Sequence, residues 1–104
     1  MPKIHTCEDG CIVFLCPACQ DTHRISIGGA AWTYDGNAES PSITPSIKAT
    51  AHTGTCHIFV TAGHVQVCHD STWHPGETLQ MIDWPEGESY EKVAIRQLRK
   101  LGRL

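Results

Sequence analysis

No stretch of the sequence approaches the roughly 20 consecutive apolar residues that cross a bilayer, and the opening residues, MPKIHTCEDGC, have no apolar core of the kind a secretory signal needs. The chain is therefore read as soluble, not exported through a signal peptide, and without a membrane partner. Helix signals are missing until Ser89, and there is no internal repeat or low-complexity segment. Basic residues are scarce over most of the length. Only three of the eight Lys and Arg precede Glu91, whereas all eleven Asp and Glu lie at or before it. A body so acidic repels a nucleic-acid duplex. The zinc-hydrolase signatures HExxH and HxE…PCxxC are absent as well.

What is present is a chain of 104 residues with six Cys and seven His. That length is about one domain with one modest core, which buries only about two-thirds of its unfolded surface and gains from an added staple. In a reducing compartment, clustered cysteines are more often metal ligands or catalytic groups than disulfides.

Apolar and β-branched runs bounded by turn residues predict short strands. CIVFLC (11–16) is one, and HRISI (23–27) alternates as a half-buried strand does before stopping at Gly28-Gly29. AAWTY follows and ends at Asp35-Gly36, a hairpin signal. SPSITPSI reads as an extended, edge-like segment because Pro41 and Pro45 each remove a ladder donor. HIFV and HVQV form the clearest hairpin, around Ala62 and a Gly63 expected at positive φ. TLQMIDW is a last strand.

From Ser89 the pattern changes to a helix, with Ser89 as N-cap, Glu91 in the first turn, and Tyr90, Ala94, Ile95, Leu98 and Leu101 at helical spacing. The fold class expected is mainly β: a small zinc-stapled antiparallel domain over residues 1–88, and a basic amphipathic helix over 89–104.

The run LCPACQDTH carries the main chemical signal. A two-residue gap lets the thiolates of Cys16 and Cys19 converge on one tetrahedral ion, and Pro17 favours the tight turn between them. A thioredoxin-type redox pair would need a helix after Cys19, and none is signalled. Two ligands remain to be found among His23, Cys56, His57, Cys68, His69 and His74. Neighbours on a strand face opposite ways. Cys56 shares a face with Ile58 and Val60, and His57 shares one with Phe59. The first face is the more core-like, so His57 is favoured as ligand, with Cys56 kept as an alternative. His74, in a loop before Pro75-Gly76, is taken as the fourth ligand. Asp70 is open to three roles: ligand, acceptor orienting a ligating histidine, or head of an Asx turn. A second site from His5, Cys7, Cys11 and Cys68 is a further option. Trp73 is expected to lie exposed.

The succession FLCPAC, WTYDGNAESPSITPSI, CHIFVTAGHVQV and DSTWHPGETLQMIDWP resembles a family of small phage and prophage proteins of uncharacterised function, often labelled "ammonia monooxygenase". The resemblance covers about residues 11–86. It implies a compact β-rich metal-binding domain with Cys16, Cys19, Cys56, His57, Asp70 and His74 at the motif positions, located in the host cytoplasm or the virion. The spacing from Asp70 to His74 is one residue longer here than in that pattern. The label itself does not suit a chain whose thiolate-rich ligation points to zinc rather than to an oxygen-activating copper or iron centre.

A closed shell of protein ligands is usually structural. The function expected is thus a zinc-binding module acting through a protein partner, as a virion component or host-directed factor, and able to form homo-oligomers. A zinc-dependent hydrolase with an open metal position is the second reading. Nucleic-acid binding through Lys92, Arg96, Arg99, Lys100 and Arg103 is the third.

Overall fold

The computed structural model describes residues 1–29 and 31–103. Ala30, the first residue of the AAWTY run, and Leu104, the end of the helical segment, lie outside the described residues. The chain is mainly β, as expected. A three-stranded antiparallel sheet is formed by β1 (His5–Thr6), β2 (Cys11–Leu15) and β3 (Thr22–Ser26) in the order β1-β2-β3. A five-stranded antiparallel meander follows, made of β4 (Thr33–Tyr34), β5 (Ile43–Ala51), β6 (Gly54–Thr61), β7 (His64–Val67) and β8 (Thr78–Gln80) in sequence order. Helix α1 (Tyr90–Lys100) closes the chain.

The uniformly apolar CIVFL run reflects a strand covered on both sides. Ile12 and Phe14 enter the main core with Ile25, Ile43, Ile47, Ile58, Val60, Val65 and Val67. Val13 and Leu15 point the other way, into a smaller core with Trp84 and Val93. On β3 the alternation read from HRISI holds, with His23 and Ile25 buried and Arg24 and Ser26 exposed. Ala62 and Gly63 make the two-residue turn between β6 and β7 with φ of 47° and 78°, the positive-φ pair of a type I′ hairpin.

Helix α1 starts where expected, the Ser89 side chain accepting from the Lys92 N–H. Its buried face differs from the apolar set read from spacing. Val93 is the residue that is fully covered, while Ile95 is 45% exposed. Basic side chains of this segment reach acids of the body: Arg96 pairs with Glu88, and Arg103 with Asp21 at 2.7 Å. Trp73, expected to lie exposed, is partly buried against the main core.

Candidate metal centre and candidate active site

Cys16 directly follows β2 and Cys19 lies in the tight turn after it, in which the Gln20 N–H donates to the Cys16 carbonyl at 2.9 Å and Gln20 takes φ of 63°. His23 stands on the inner face of β3, opposite Phe14. Cys56 stands on the inner face of β6 beside Ile58. These four side chains are all buried, and their ligand atoms lie within 4.8 Å of one another.

The spacing inside the cluster fits a metal. For metal–sulfur bonds of about 2.3 Å and metal–nitrogen bonds of about 2.0–2.1 Å, a tetrahedron has S···S edges of about 3.8 Å and S···N edges of about 3.6 Å. The Cys16 and Cys56 sulfurs are 3.7 Å apart, and Cys19 Sγ is 3.5 Å from His23 Nε2. A disulfide needs about 2.05 Å, and all six cysteines are free.

The proton balance agrees. Hydrogen bonds from the Cys16 and Cys56 thiols pull the Cys19 thiol far below its ordinary range, while Cys56, bonded to Cys16 and Cys19, is held well above it. Burial works against a charged His23, yet its hydrogen bonds to Cys16 and Cys19 and their charge push it up to about 10. Buried thiols compete for negative charge, and a divalent cation would neutralise it. Three sulfurs and one imidazole around such an ion make a closed shell.

Of the residues read as ligands, the fold thus brings together Cys16, Cys19 and Cys56, and adds His23. His57 and His74 lie outside this cluster. His74 sits in an exposed turn at φ of 52°, where its Nδ1 meets Glu77 Oε2 at 2.9 Å. Cys56 and His57 are separated by strand alternation, as expected, but the apolar face is where the ligands converge, because the cluster is itself part of the core. The second site sketched from His5, Cys7, Cys11 and Cys68 is not assembled among the described residues. His5 stacks on Trp84, and Cys68 stands beside His57 and Asp70.

On the outer face of the meander a different constellation forms. Between Ile43 and Ile47 the register of β5 against β6 slips, so that Thr44, Pro45 and Ser46 together stand opposite Phe59. Bulges of this sort re-aim side chains. Ser46 Oγ lies 3.0 Å from His57 Nε2, and His57 Nδ1 lies 2.9 and 3.1 Å from the two oxygens of Asp70. An ionised carboxylate only accepts, so Nδ1 carries the proton, and Nε2 of the neutral ring accepts from the Ser46 hydroxyl.

Asp70 is kept ionised. The hydrogen bond from His57, and then Lys48 with its Nζ at 3.4 Å, hold its carboxyl below the usual range. Its side chain is 49% exposed, so solvent weakens what it contributes relative to a buried counterpart.

The loop after β7 is stitched to β6 around this histidine. The His57 N–H donates to Ser71 Oγ at 2.8 Å, the Ser71 hydroxyl donates to the His57 carbonyl at 2.9 Å, and the Cys68 N–H donates to the same carbonyl at 2.9 Å. Ser71 is buried. One residue further on, the Thr55 N–H donates to Thr72 Oγ1 at 2.9 Å, and the Thr72 N–H donates to the Thr55 carbonyl at 2.8 Å.

The trio His57, Cys68 and Asp70 also has the proximity of a metal site. Its chemistry does not favour one. Both nitrogens of His57 are engaged, and burial, then the Asp70 charge, raise the Cys68 thiol above its ordinary range. Ser, His and Asp at hydrogen-bonding distances in this order are the arrangement of nucleophile, base and orienting acid. Asp70 does accept from a histidine, but that histidine is His57, outside the Cys16, Cys19, His23 and Cys56 cluster, so its place here is not that of an acceptor orienting a ligand of that cluster. Ser46 was not singled out there.

Residues 2–68 match the family model described as bacterial ubiquitination-like system serine protease (BubE). The matched segment is more than half of the chain and includes Cys16, Cys19, His23, Ser46, Cys56 and His57; Asp70 lies just beyond it. No curated protein and no solved structure matches the chain.

Proposed function

The chain belongs to the bacterial ubiquitination-like system serine protease (BubE) family, and we propose that it is a serine protease whose triad is Ser46, His57 and Asp70, built on a β body stapled by a structural zinc ion. The reading rests above all on one observation, the bridge made by His57 between Ser46 Oγ and Asp70.

In the proposed reaction His57 Nε2 takes the Ser46 proton as Oγ bonds to the substrate carbonyl carbon. The tetrahedral intermediate collapses when the same proton passes to the departing amine, leaving an acyl-Ser46 ester. Water then repeats the sequence. His57 removes its proton, the hydroxyl bonds to the acyl carbon, and the proton returns to Ser46 as the acid leaves. Asp70 fixes the tautomer and balances the imidazolium that forms in each half.

The family description supports a polypeptide of a ubiquitination-like system as substrate. Zinc is the metal proposed, because a closed Cys3His shell matches its ligand preference and coordination number. Cys16, Cys19, His23 and Cys56 would hold it. With no position left open in that shell, its role is to fix β2, the tight turn, β3 and β6 relative to one another.

The test is covalent labelling with a fluorophosphonate, followed by peptide mapping. Labelling confined to Ser46 and absent from Ser46→Ala is the expected result. A Ser46→Ala protein that labels as readily as the parent, or a folded parent that does not label, overturns the assignment.

A further inference from the structure

The substrate's approach can be read from the backbone of β5. In an antiparallel pair, residues directly opposite each other either exchange both backbone hydrogen bonds or exchange none, in alternation. His57 and Thr55 spend their N–H and C=O groups on the 68–72 loop. Their partners in the register are Lys48 and Thr50. Lys48 and Thr50 therefore belong to the non-exchanging pairs, and their own N–H and C=O groups point away from β6, toward the far edge of β5. Ile47, Ala49 and Ala51 are the residues bonded to β6.

That far edge is only partly covered. β4 pairs with Ile43 and Thr44, and the Trp32 indole N–H reaches the Ser46 carbonyl at 3.4 Å. Among the described residues nothing pairs with the backbone of Lys48 or Thr50, and both are exposed. The uncovered stretch starts two residues after Ser46. Two residues of strand span about 7 Å, so a chain lying on it would reach the hydroxyl without a turn.

Resting on the triad reading, we infer that the substrate binds as an extended peptide that adds antiparallel to the free edge of β5, pairing with the backbone of Lys48 and Thr50. The antiparallel direction fixes which half of the substrate lies there. Running opposite to β5, the substrate passes Thr50, then Lys48, and reaches Ser46 with its scissile carbonyl, so the residues N-terminal to the cleaved bond occupy the edge. The occupant is a polypeptide segment because the edge presents alternating N–H and C=O groups at strand spacing, the pattern that another peptide backbone completes. Sequence selectivity then falls on alternate substrate side chains.

The experiment is amide hydrogen exchange on the intact wild-type protein in two adducts, one with diisopropyl fluorophosphate and one with a mixed-sequence tetrapeptidyl diphenyl phosphonate. Both probes are expected to modify Ser46. Only the peptidyl adduct should slow exchange at the Lys48 and Thr50 amides, by at least about tenfold, with Ala49 and Ala51 unchanged. Equal exchange in the two adducts, slowing without the alternation, or modification by the small probe alone overturns the edge mode and leaves the triad standing. Slow exchange at Lys48 and Thr50 before any probe is added, with a dimer in solution, means that a second copy occupies the edge and also overturns it. Failure of both probes to modify Ser46 removes the triad reading, and this inference with it.

Discussion

Cys56 and His57 are consecutive residues of β6 whose side chains leave the strand on opposite faces, the first into the buried metal cluster and the second into the hydrogen-bond chain with Ser46 and Asp70. The proposed staple and the proposed catalytic base are therefore one peptide unit apart, back to back across a single sheet. Any rotation of β6 that loosens one must move the other.

Metal removal is accordingly expected to abolish both fold and activity. A structural zinc contributes about 10–16 kcal/mol of apparent binding free energy in small peptides, as much as the roughly 5–15 kcal/mol that holds a whole domain together. Metal-free protein should lose its cooperative melting transition, and protein purified without chelator should contain one zinc per chain by mass spectrometry. Cys19→Ser and His23→Ala should behave as the metal-free protein does. A demetallated sample that melts as the loaded one does contradicts the structural role.

Ser46→Ala should separate activity from stability. Ser46 is half-buried on the outer face, away from the main core, and loses a single hydroxyl, so the melting temperature should stay within a few degrees. Peptide hydrolysis should fall by at least about 10³-fold. Groups acting as a unit are non-additive, so Ser46→Ala combined with His57→Ala should be scarcely slower than either alone. Multiplying losses in the double variant would argue that the two residues do not act on the same step.

Most of the strands and the start of the helix are legible in the sequence because their signals are local; β1 carries no such signal, and β8 stops at Gln80, short of the end of the TLQMIDW run. CIVFL, HRISI, HIFV with HVQV, and the Ser89 cap depend on neighbours a few residues away. Half of the metal cluster was legible for the same reason, since CPAC is one turn. His23 carried a readable signal too: it shares the alternating face of Ile25, which is the buried one. Cys56 ranks below its neighbour only on the assumption that ligands avoid the apolar face, which fails where the candidate ligands are themselves part of the core.

The proposed triad was hidden for a different reason. PSITPSI has no glycine-flanked elbow around its serine, and Ser46 acquires a partner only through the bulged register of β5 on β6. Asp70 arrives from a loop whose position depends on hydrogen bonds to β6. Register and loop docking are long-range properties, which periodicity does not report.

Ser71→Ala tests whether that loop positions the base. The serine donates to the carbonyl and accepts from the N–H of His57, and losing both bonds in a buried setting costs about 1–3 kcal/mol. The domain should remain folded at 25 °C and keep its metal. The larger effect should be on kcat, down about tenfold or more with KM little changed, because misalignment of His57 weakens proton transfer rather than binding. A rise in KM at constant kcat would assign Ser71 to substrate binding instead.

Gly54→Ala probes the same docking from the other side. Gly54 has φ of 152°, and a methyl group there would lie 2.6 Å from Thr72 Oγ1 and 2.8 Å from Thr72 Cβ. Such an overlap cannot be accommodated by a small rotation, so Thr72 must withdraw from Thr55, and Ser71 and Asp70 shift with it. Melting temperature and kcat should therefore fall together. Shortening the obstacle in Gly54→Ala with Thr72→Ser removes the Cγ2 contact at 2.9 Å while keeping the hydroxyl, and should restore part of both. If Gly54→Ala leaves kcat unchanged while lowering stability, the 68–72 loop does not carry the alignment of Asp70 on His57.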